Sequence, residues 1–148
     1  MEKSRGFTLI EILVVIAILS ILTLSIGGNF VNSFIKGRDS KRKQDLESIA
    51  KALELYYYDL KAYPTALPGG GTPFINQSHT SVIYLQQMPY DPSTRNSYCY
   101  TTDTSGTYYK IYANLENSKD FKVFPTPADH PCSVTPYNYG IASTNITP

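Results

Sequence analysis

The chain has 148 residues, with 13 lysines and arginines against 12 aspartates and glutamates and a formal net charge of +1. This balance gives no electrostatic reason to expect a nucleic acid or an anionic surface as a partner. The length and the hydrophobic content of 42% fit one compact domain with an appendage.

The first long element is a run of twenty residues, 7–26, whose only charge is that of Glu11. About 20 such residues are enough to cross a bilayer core as a helix. A charge inside such a helix costs roughly 2.5–3.5 kcal/mol on insertion scales. Three interpretations follow: a cleaved secretory signal, a plain membrane anchor, or a leader cut just before Phe7 with the apolar helix retained. Glu11 is an unexplained cost in the first two, so we favour the third.

The segment 6–11, Gly-Phe-Thr-Leu-Ile-Glu, resembles the processing site of type IV pilins and type II secretion pseudopilins. The resemblance implies that prepilin peptidase cleaves after Gly6 and methylates the new amine of Phe7. It also implies that Glu11 takes part in assembly. We expect its carboxylate to approach the Phe7 amine of a neighbouring subunit, because paired buried charges cost far less than single ones.

The same resemblance implies a location and a set of partners. The chain is expected to cross the cytoplasmic membrane once, surrounded by lipid, with an extracytoplasmic head. An inner-membrane assembly platform then incorporates it into a homo-oligomeric or mixed filament, a pilus or pseudopilus at the cell surface or in the periplasm. The lysines and arginines of 36–43 outnumber those of the leader, which favours the opposite orientation. We nevertheless expect the leader to lie in the cytoplasm, because the family resemblance implies it. The two cysteines, Cys99 and Cys132, also favour an oxidising location for the rest of the chain.

Helical periodicity continues over residues 29–60, and Gly27-Gly28 is interpreted as a flexible point rather than an end. Apolar side chains recur at three- and four-residue steps, which indicates an amphipathic face that packs on a sheet. Its members are Leu46, Ile49, Ala50, Leu53, Tyr56, Tyr57 and Leu60.

The charged residues of 36–47 are interpreted as a solvated helix face, with salt bridges between subunits as the alternative. Two pairs at i,i+4 spacing are expected to support the helix. They join Asp39 to Lys43 and Glu47 to Lys51.

Beyond residue 61 the sequence predicts a small head. Residues 97–102 and 108–115 read as two strands joined by a turn, and 82–87 as a short helix or strand. The tail from Phe121 is rich in proline and is expected to be an ordered coil. The stretches 84–92 and 108–117 resemble the major pseudopilin of type II secretion.

The predicted fold class is α+β: a long N-terminal α-helix packed on a small antiparallel sheet, with a disulfide-tied C-terminal tail. The predicted divisions are a leader (1–6), a transmembrane or filament-core helix (7–28), its amphipathic continuation (29–60) and the head (61–148).

Cys99 and Cys132 are the only cysteines. In an exported domain the simplest outcome is a disulfide between them. Two free thiols in a reducing compartment are the alternative, and the spacing gives little support to a metal site.

Four side chains offer oxygen ligands of the kind that calcium prefers: Asp103, Glu116, Asn117 and Asp120. The acidic, glycine-rich end that helps to form the pseudopilin calcium site is missing from this chain, and aspartate and asparagine favour turns in any case. We therefore expect no cofactor and treat the four residues as weak calcium candidates.

The sequence contains no recognisable catalytic constellation, so we do not expect an enzyme. The leading hypothesis is a structural filament subunit. The alternative is a monomeric, membrane-anchored binding module that never polymerises.

Overall fold

The computed structural model describes residues 6–76, 82–125, 132 and 136–148, with the backbone alone at 24–29. The chain divides into two compact units, Met1–Ile35 and Lys36–Pro148, called here the N-terminal and C-terminal units. The described elements are one helix and five strands. They are α1 (Leu9–Leu60), β1 (Phe74–Ile75), β2 (Ile83–Leu85), β3 (Cys99–Thr102), β4 (Tyr109–Ala113) and β5 (Tyr139–Ala142).

In the N-terminal unit, α1 is apolar on every side. The five consecutive side chains of 12–16 are each between 47% and 56% exposed, and consecutive residues cover the full circumference of a helix. The hydroxyls of Ser20 and Thr23 donate hydrogen bonds of 2.7 Å to the carbonyls of Ile16 and Leu19, which satisfies these polar groups within the helix. The described apolar side chains of 12–16 in this unit are therefore not packed into a core.

Among the described residues, no helix combines the length and the apolar character needed to cross a membrane. The single-pass span over 7–28 stays a prediction.

The larger sheet is antiparallel, with the order β3-β4-β5. Cys99 pairs with Tyr112 between β3 and β4, and Lys110 pairs with Ala142 between β4 and β5. β1 and β2 form a separate antiparallel pair. The two predicted strands are confirmed as β3 and β4, and residues 83–85 form a strand rather than a helix.

The core lies between one face of α1 and the central strand β4. Leu46, Leu53 and Ile111 are fully buried, and Ile49 is 1% exposed. The spacing of 46, 49 and 53 places these side chains on one helix face, as predicted. Farther along the predicted stripe, Tyr57 and Leu60 remain 36% and 38% exposed, so the buried face ends before the helix does. The α+β prediction is confirmed.

α1 ends with a residue in the left-handed region. Lys61 has φ of 59°, and its N–H donates to the carbonyl of Tyr57 at 2.8 Å. The chain then passes to Tyr63, whose N–H donates to the carbonyl of Gly106 at 2.8 Å. Gly106 has φ of +64°, and a Cβ there would lie 2.6 Å from the Tyr63 carbonyl oxygen. Glycine is therefore required where the β3–β4 turn meets the segment after α1.

The tail differs from the prediction, because it contains the strand β5. Its prolines at 125, 127, 131 and 136 precede the strand, so they do not interrupt its pairing. Gly140 breaks the alternating pattern that signals a strand, and a Cβ there would lie 2.7 Å from the Tyr112 ring. This packing against β4 is a contact between distant residues, which explains why the sequence pattern did not reveal it.

Candidate functional sites

The candidate processing and assembly residues lie at the beginning of the N-terminal unit. Gly6 and Phe7 precede α1, and Phe7 is 85% exposed. The N–H and the hydroxyl of Thr8 donate to Glu11 Oε2 at 2.7 and 2.9 Å, and the Glu11 N–H donates back to the Thr8 hydroxyl at 3.3 Å. This reciprocal arrangement resembles a capping box, so Glu11 satisfies free donors at the start of its own helix.

The disulfide prediction is confirmed. Cys99 at the start of β3 is bonded to Cys132, with their Cα atoms 6.0 Å apart. Cys99 is 4% exposed, so the bond ties the tail to a buried position of the sheet.

The main polar site of the C-terminal unit is centred on Arg42, which is 2% exposed. Its Nη1 donates to Asp39 Oδ1 at 2.8 Å, and its Nε and Nη2 donate to the two oxygens of Asp91 at 2.6 and 3.2 Å. Nη2 also lies 2.8 Å from Glu116 Oε1 and 2.9 Å from Ser93 Oγ. These five residues, together with Arg38, are called here the Arg42 cluster.

The Arg42 cluster joins three parts of the chain. Asp39 and Arg42 lie on α1, Asp91 and Ser93 lie in the loop before β3, and Glu116 follows β4. Asp39 also accepts the backbone N–H groups of Glu116 and Asn117, at 2.9 and 2.8 Å. Arg38 forms two further hydrogen bonds with the Glu116 carboxylate. The cluster therefore holds both loops against the helix.

The positive and negative charges of the Arg42 cluster stabilise the ionised form of its carboxylates. Hydrogen bonds from Arg38, Ser93 and Arg42 lower the pKa of Glu116 to about 2, against the opposing effect of its partial burial. Burial raises the pKa of Asp91, but hydrogen bonds from Arg42 and from the amides of Thr94 and Ser93 outweigh it, and the net pKa is lowered. Both carboxylates are thus ionised at neutral pH.

Two further ion pairs flank the cluster. Lys41 Nζ lies 2.6 Å from Asp45 Oδ1, and Asp45 Oδ2 accepts the hydroxyl of Tyr98 at 2.8 Å. Lys43 Nζ lies 2.6 Å from Asp120 Oδ2. The predicted pair of Asp39 with Lys43 is wrong, because each of these side chains has a different partner.

The interpretation of 36–47 as a solvated face is wrong for three of its charged residues. Asp39, Arg42 and Asp45 are 2%, 2% and 3% exposed. Asp39 and Arg42 bond to each other and Asp45 bonds to Lys41, but their other partners Asp91, Tyr98 and Glu116 lie about fifty or more positions away in the sequence. The local pattern therefore carried no signal of burial. The local indications of pairing were the i,i+3 spacing of Asp39 and Arg42 and the i,i+4 spacing of Lys41 and Asp45.

The four calcium candidates are occupied by partners within the chain. Both oxygens of Glu116 bond to Arg38, and Asp120 bonds to Lys43. Asp103 accepts the N–H and the hydroxyl of Thr107, and the Asn117 side chain accepts the N–H of Lys119. Among the described residues, no group of three histidine, cysteine, aspartate or glutamate side chains is arranged to hold a metal ion.

The long helix packed on an antiparallel sheet, with its exposed apolar N-terminal part, defines the class of pilin-like proteins. Two family models match the chain: the prokaryotic N-terminal methylation motif over residues 1–27, and type II secretion system (T2SS) protein G over residues 29–119. The chain belongs to the type II secretion system protein G family. The predicted resemblance is confirmed, and of the two systems considered, the family is that of type II secretion.

Curated relatives are named type II secretion system core protein G, in agreement with the family name. The type II secretion system core protein G of Pseudomonas aeruginosa is 31% identical over 127 residues, which cover 80% of this chain and 88% of that protein. The core protein G of Dickeya chrysanthemi is 32% identical over 98 residues, which cover 62% of this chain and 64% of that protein. The core protein G of Escherichia coli K12 is 31% identical over 98 residues, which cover 62% of this chain and 68% of that protein. No solved structure matches the chain.

Proposed function

We propose that this chain is a structural subunit of a type II secretion pseudopilus, and that it acts by assembling rather than by catalysis. The observation that carries the proposal is the N-terminal part of α1, which is apolar on every side and lies within the methylation motif matched over residues 1–27. A helix of this kind requires either lipid or other such helices around it. The names of the relatives support the choice of system.

Processing is proposed to occur between Gly6 and Phe7. Prepilin peptidase would remove the leader and methylate the amine of Phe7. Both residues precede the first turn of α1, and among the described residues beyond its chain neighbours nothing lies within 4 Å of the position that a Cβ would take at Gly6. This exposure supports access by a peptidase and leaves the new N-terminus free to meet another subunit.

Glu11 is proposed to exchange partners during assembly. In the single subunit its carboxylate accepts hydrogen bonds from Thr8, which offsets part of the cost of placing a charge in an apolar helix. In the filament the methylated, positively charged amine of a neighbouring Phe7 would become its ionic partner. Loss of either group would leave the other charge buried without compensation.

Before assembly, the proposed location is the cytoplasmic membrane, with residues 7–28 in the lipid and the C-terminal unit outside the cytoplasm. The disulfide supports an oxidising compartment for that unit. An inner-membrane platform would then add the subunit to a homo-oligomeric or mixed filament in the periplasm.

The test is Glu11→Ala in the full-length precursor, expressed with the secretion system from which the chain comes. We expect the variant to be cleaved and membrane-inserted but to form few or no filaments. Glu47→Ala is the matched control, because it removes an exposed carboxylate from the C-terminal unit. Normal filaments from Glu11→Ala would contradict the proposal and favour the membrane-anchored monomer.

Intact mass spectrometry of the native protein tests the processing step separately. We expect the loss of the first six residues, the gain of one methyl group and the loss of two hydrogens to the disulfide. Cleavage near Gly27 instead would discard the apolar helix, and with it the proposed mode of assembly.

A further inference from the structure

The Arg42 cluster has the composition of a cation-binding site, except that its cation is the Arg42 guanidinium of the same chain. Three carboxylates from three separate segments, those of Asp39, Asp91 and Glu116, surround one guanidinium, and Ser93 adds a hydroxyl oxygen. The contacts are direct, between 2.6 and 3.2 Å. In many proteins, convergent oxygen ligands of this kind from distant segments hold calcium.

The calcium site implied by the family resemblance does not fit the residues of this chain. Each calcium candidate already has a partner, and for Glu116 and Asp120 that partner is a cation of α1. Calcium takes 6–8 oxygen ligands at about 2.3–2.6 Å. To supply them, Glu116 and Asp120 would have to leave Arg38, Arg42 and Lys43. The buried Arg42 would then keep Asp39 and Asp91 but lose its third carboxylate partner.

We infer that the Arg42 guanidinium takes in this chain the structural place of a bound metal ion, so that the loop after β4 is fixed to α1 without calcium. The planar guanidinium is suited to this role, since it presents five donors in a fixed geometry and binds a carboxylate through two of them. The bidentate contact with Asp91 and the single contacts with Asp39 and Glu116 use that geometry. The inference does not depend on the proposed filament function.

The loop after β4 is the segment that the cluster positions. Asp39 is held by Arg42 and accepts the N–H groups of Glu116 and Asn117. Lys43, one residue beyond Arg42, holds Asp120 farther along the same loop. Loss of the guanidinium should therefore release this loop before the sheet itself unfolds.

The experiment compares chelation with substitution in the mature full-length protein in detergent. We expect EGTA and added calcium to leave the midpoint of thermal unfolding unchanged in the wild type. Arg42→Gln should lower the midpoint by roughly 10 °C, because it leaves Asp39 and Asp91 without their cation. Arg95→Gln is the control: this arginine is exposed and stacks on the Tyr90 ring, so its loss should have a much smaller effect.

Hydrogen exchange provides a second readout that remains informative if Arg42→Gln folds poorly. Arg42→Lys keeps the charge but loses the bidentate contact, and we expect the amides of Glu116 and Asn117 to exchange faster in it while those of β4 stay protected. A wild-type midpoint that falls with EGTA and recovers with calcium would overturn the inference. Unchanged exchange of the two loop amides in Arg42→Lys would overturn it as well.

Discussion

Asp39 connects α1 to the loop after β4 through Glu116, whose backbone N–H lies 2.9 Å from Asp39 Oδ1. The same oxygen accepts Nη1 of Arg42, so one atom serves both the helix and the loop. The two residues are seventy-seven positions apart in the chain. A charged residue on what resembles a solvated helix face thus fixes the exit of the central strand.

Replacement of Asp39 should destabilise the C-terminal unit strongly. In Asp39→Ala, two backbone N–H groups and one donor of Arg42 lose their acceptor, and breaking a buried ion pair costs about 3–5 kcal/mol. Chemical denaturation of the full-length protein measures the change in the free energy of unfolding. Glu47→Ala, an exposed position on the same helix, should change it by no more than about 0.5 kcal/mol. Equal effects of the two substitutions would contradict the assigned role of Asp39.

Stability should fall in acid because the folded state holds Glu116 ionised. Its pKa is about 2 in the folded protein against the usual 4.5, and the pKa of Asp91 is also lowered. The folded state therefore binds fewer protons, so this stabilisation is complete above the unfolded pKa of 4.5 and is lost as the pH falls towards 2.

The check on the acid dependence is the midpoint of thermal unfolding, measured in steps from neutral pH to about pH 2. Glu116→Gln should be less stable at neutral pH and should lose less stability on acidification. A variant that follows the wild-type pH profile would show that another group controls the acid dependence.

The disulfide should contribute substantially to stability. Cys99 and Cys132 are thirty-three positions apart, and cross-linking a loop of that length gives roughly 3–4 kcal/mol in the chain-entropy model. The double variant Cys99→Ala, Cys132→Ala should unfold at a correspondingly lower denaturant concentration. Reduction of the wild type should reproduce the loss, while the reductant should leave the double variant unchanged. A reductant effect on the double variant would locate the sensitivity elsewhere.

Gly106 and Gly69 form a matched pair for testing the turn between β3 and β4. Gly106→Ala places a methyl group 2.6 Å from the Tyr63 carbonyl oxygen at a positive φ, so we expect a loss of about 1–3 kcal/mol. Gly69→Ala adds the same methyl group where nothing lies within 4 Å, and it should be close to neutral. Denaturation curves of the two variants compare them directly, and a neutral Gly106→Ala would mean that the turn moves away from Tyr63 without cost.

Local patterns were enough to predict several parts of the fold. The step of three and four residues placed Leu46, Ile49 and Leu53 on the buried face of α1, because helical side chains at that spacing lie on one side. The alternation of β-branched and aromatic residues located β3 and β4. The disulfide was predictable because two cysteines in an exported chain most simply bond to each other. The short β5 carries a glycine where it packs on Tyr112, so its local signal was too weak to reveal it.

The sequence by itself determined the N-terminal methylation motif, the long helix, the adjacent strands β3 and β4 and the class of the protein. These depend on the type and spacing of neighbouring residues, which are readable along the chain. Only the tertiary structure decided that Asp39, Arg42 and Asp45 are buried and which partners they have. A charge is tolerated in the interior when opposite charges and hydrogen bonds reach it. Here Asp91, Tyr98 and Glu116 supply such groups from far along the chain, in addition to the neighbours on α1.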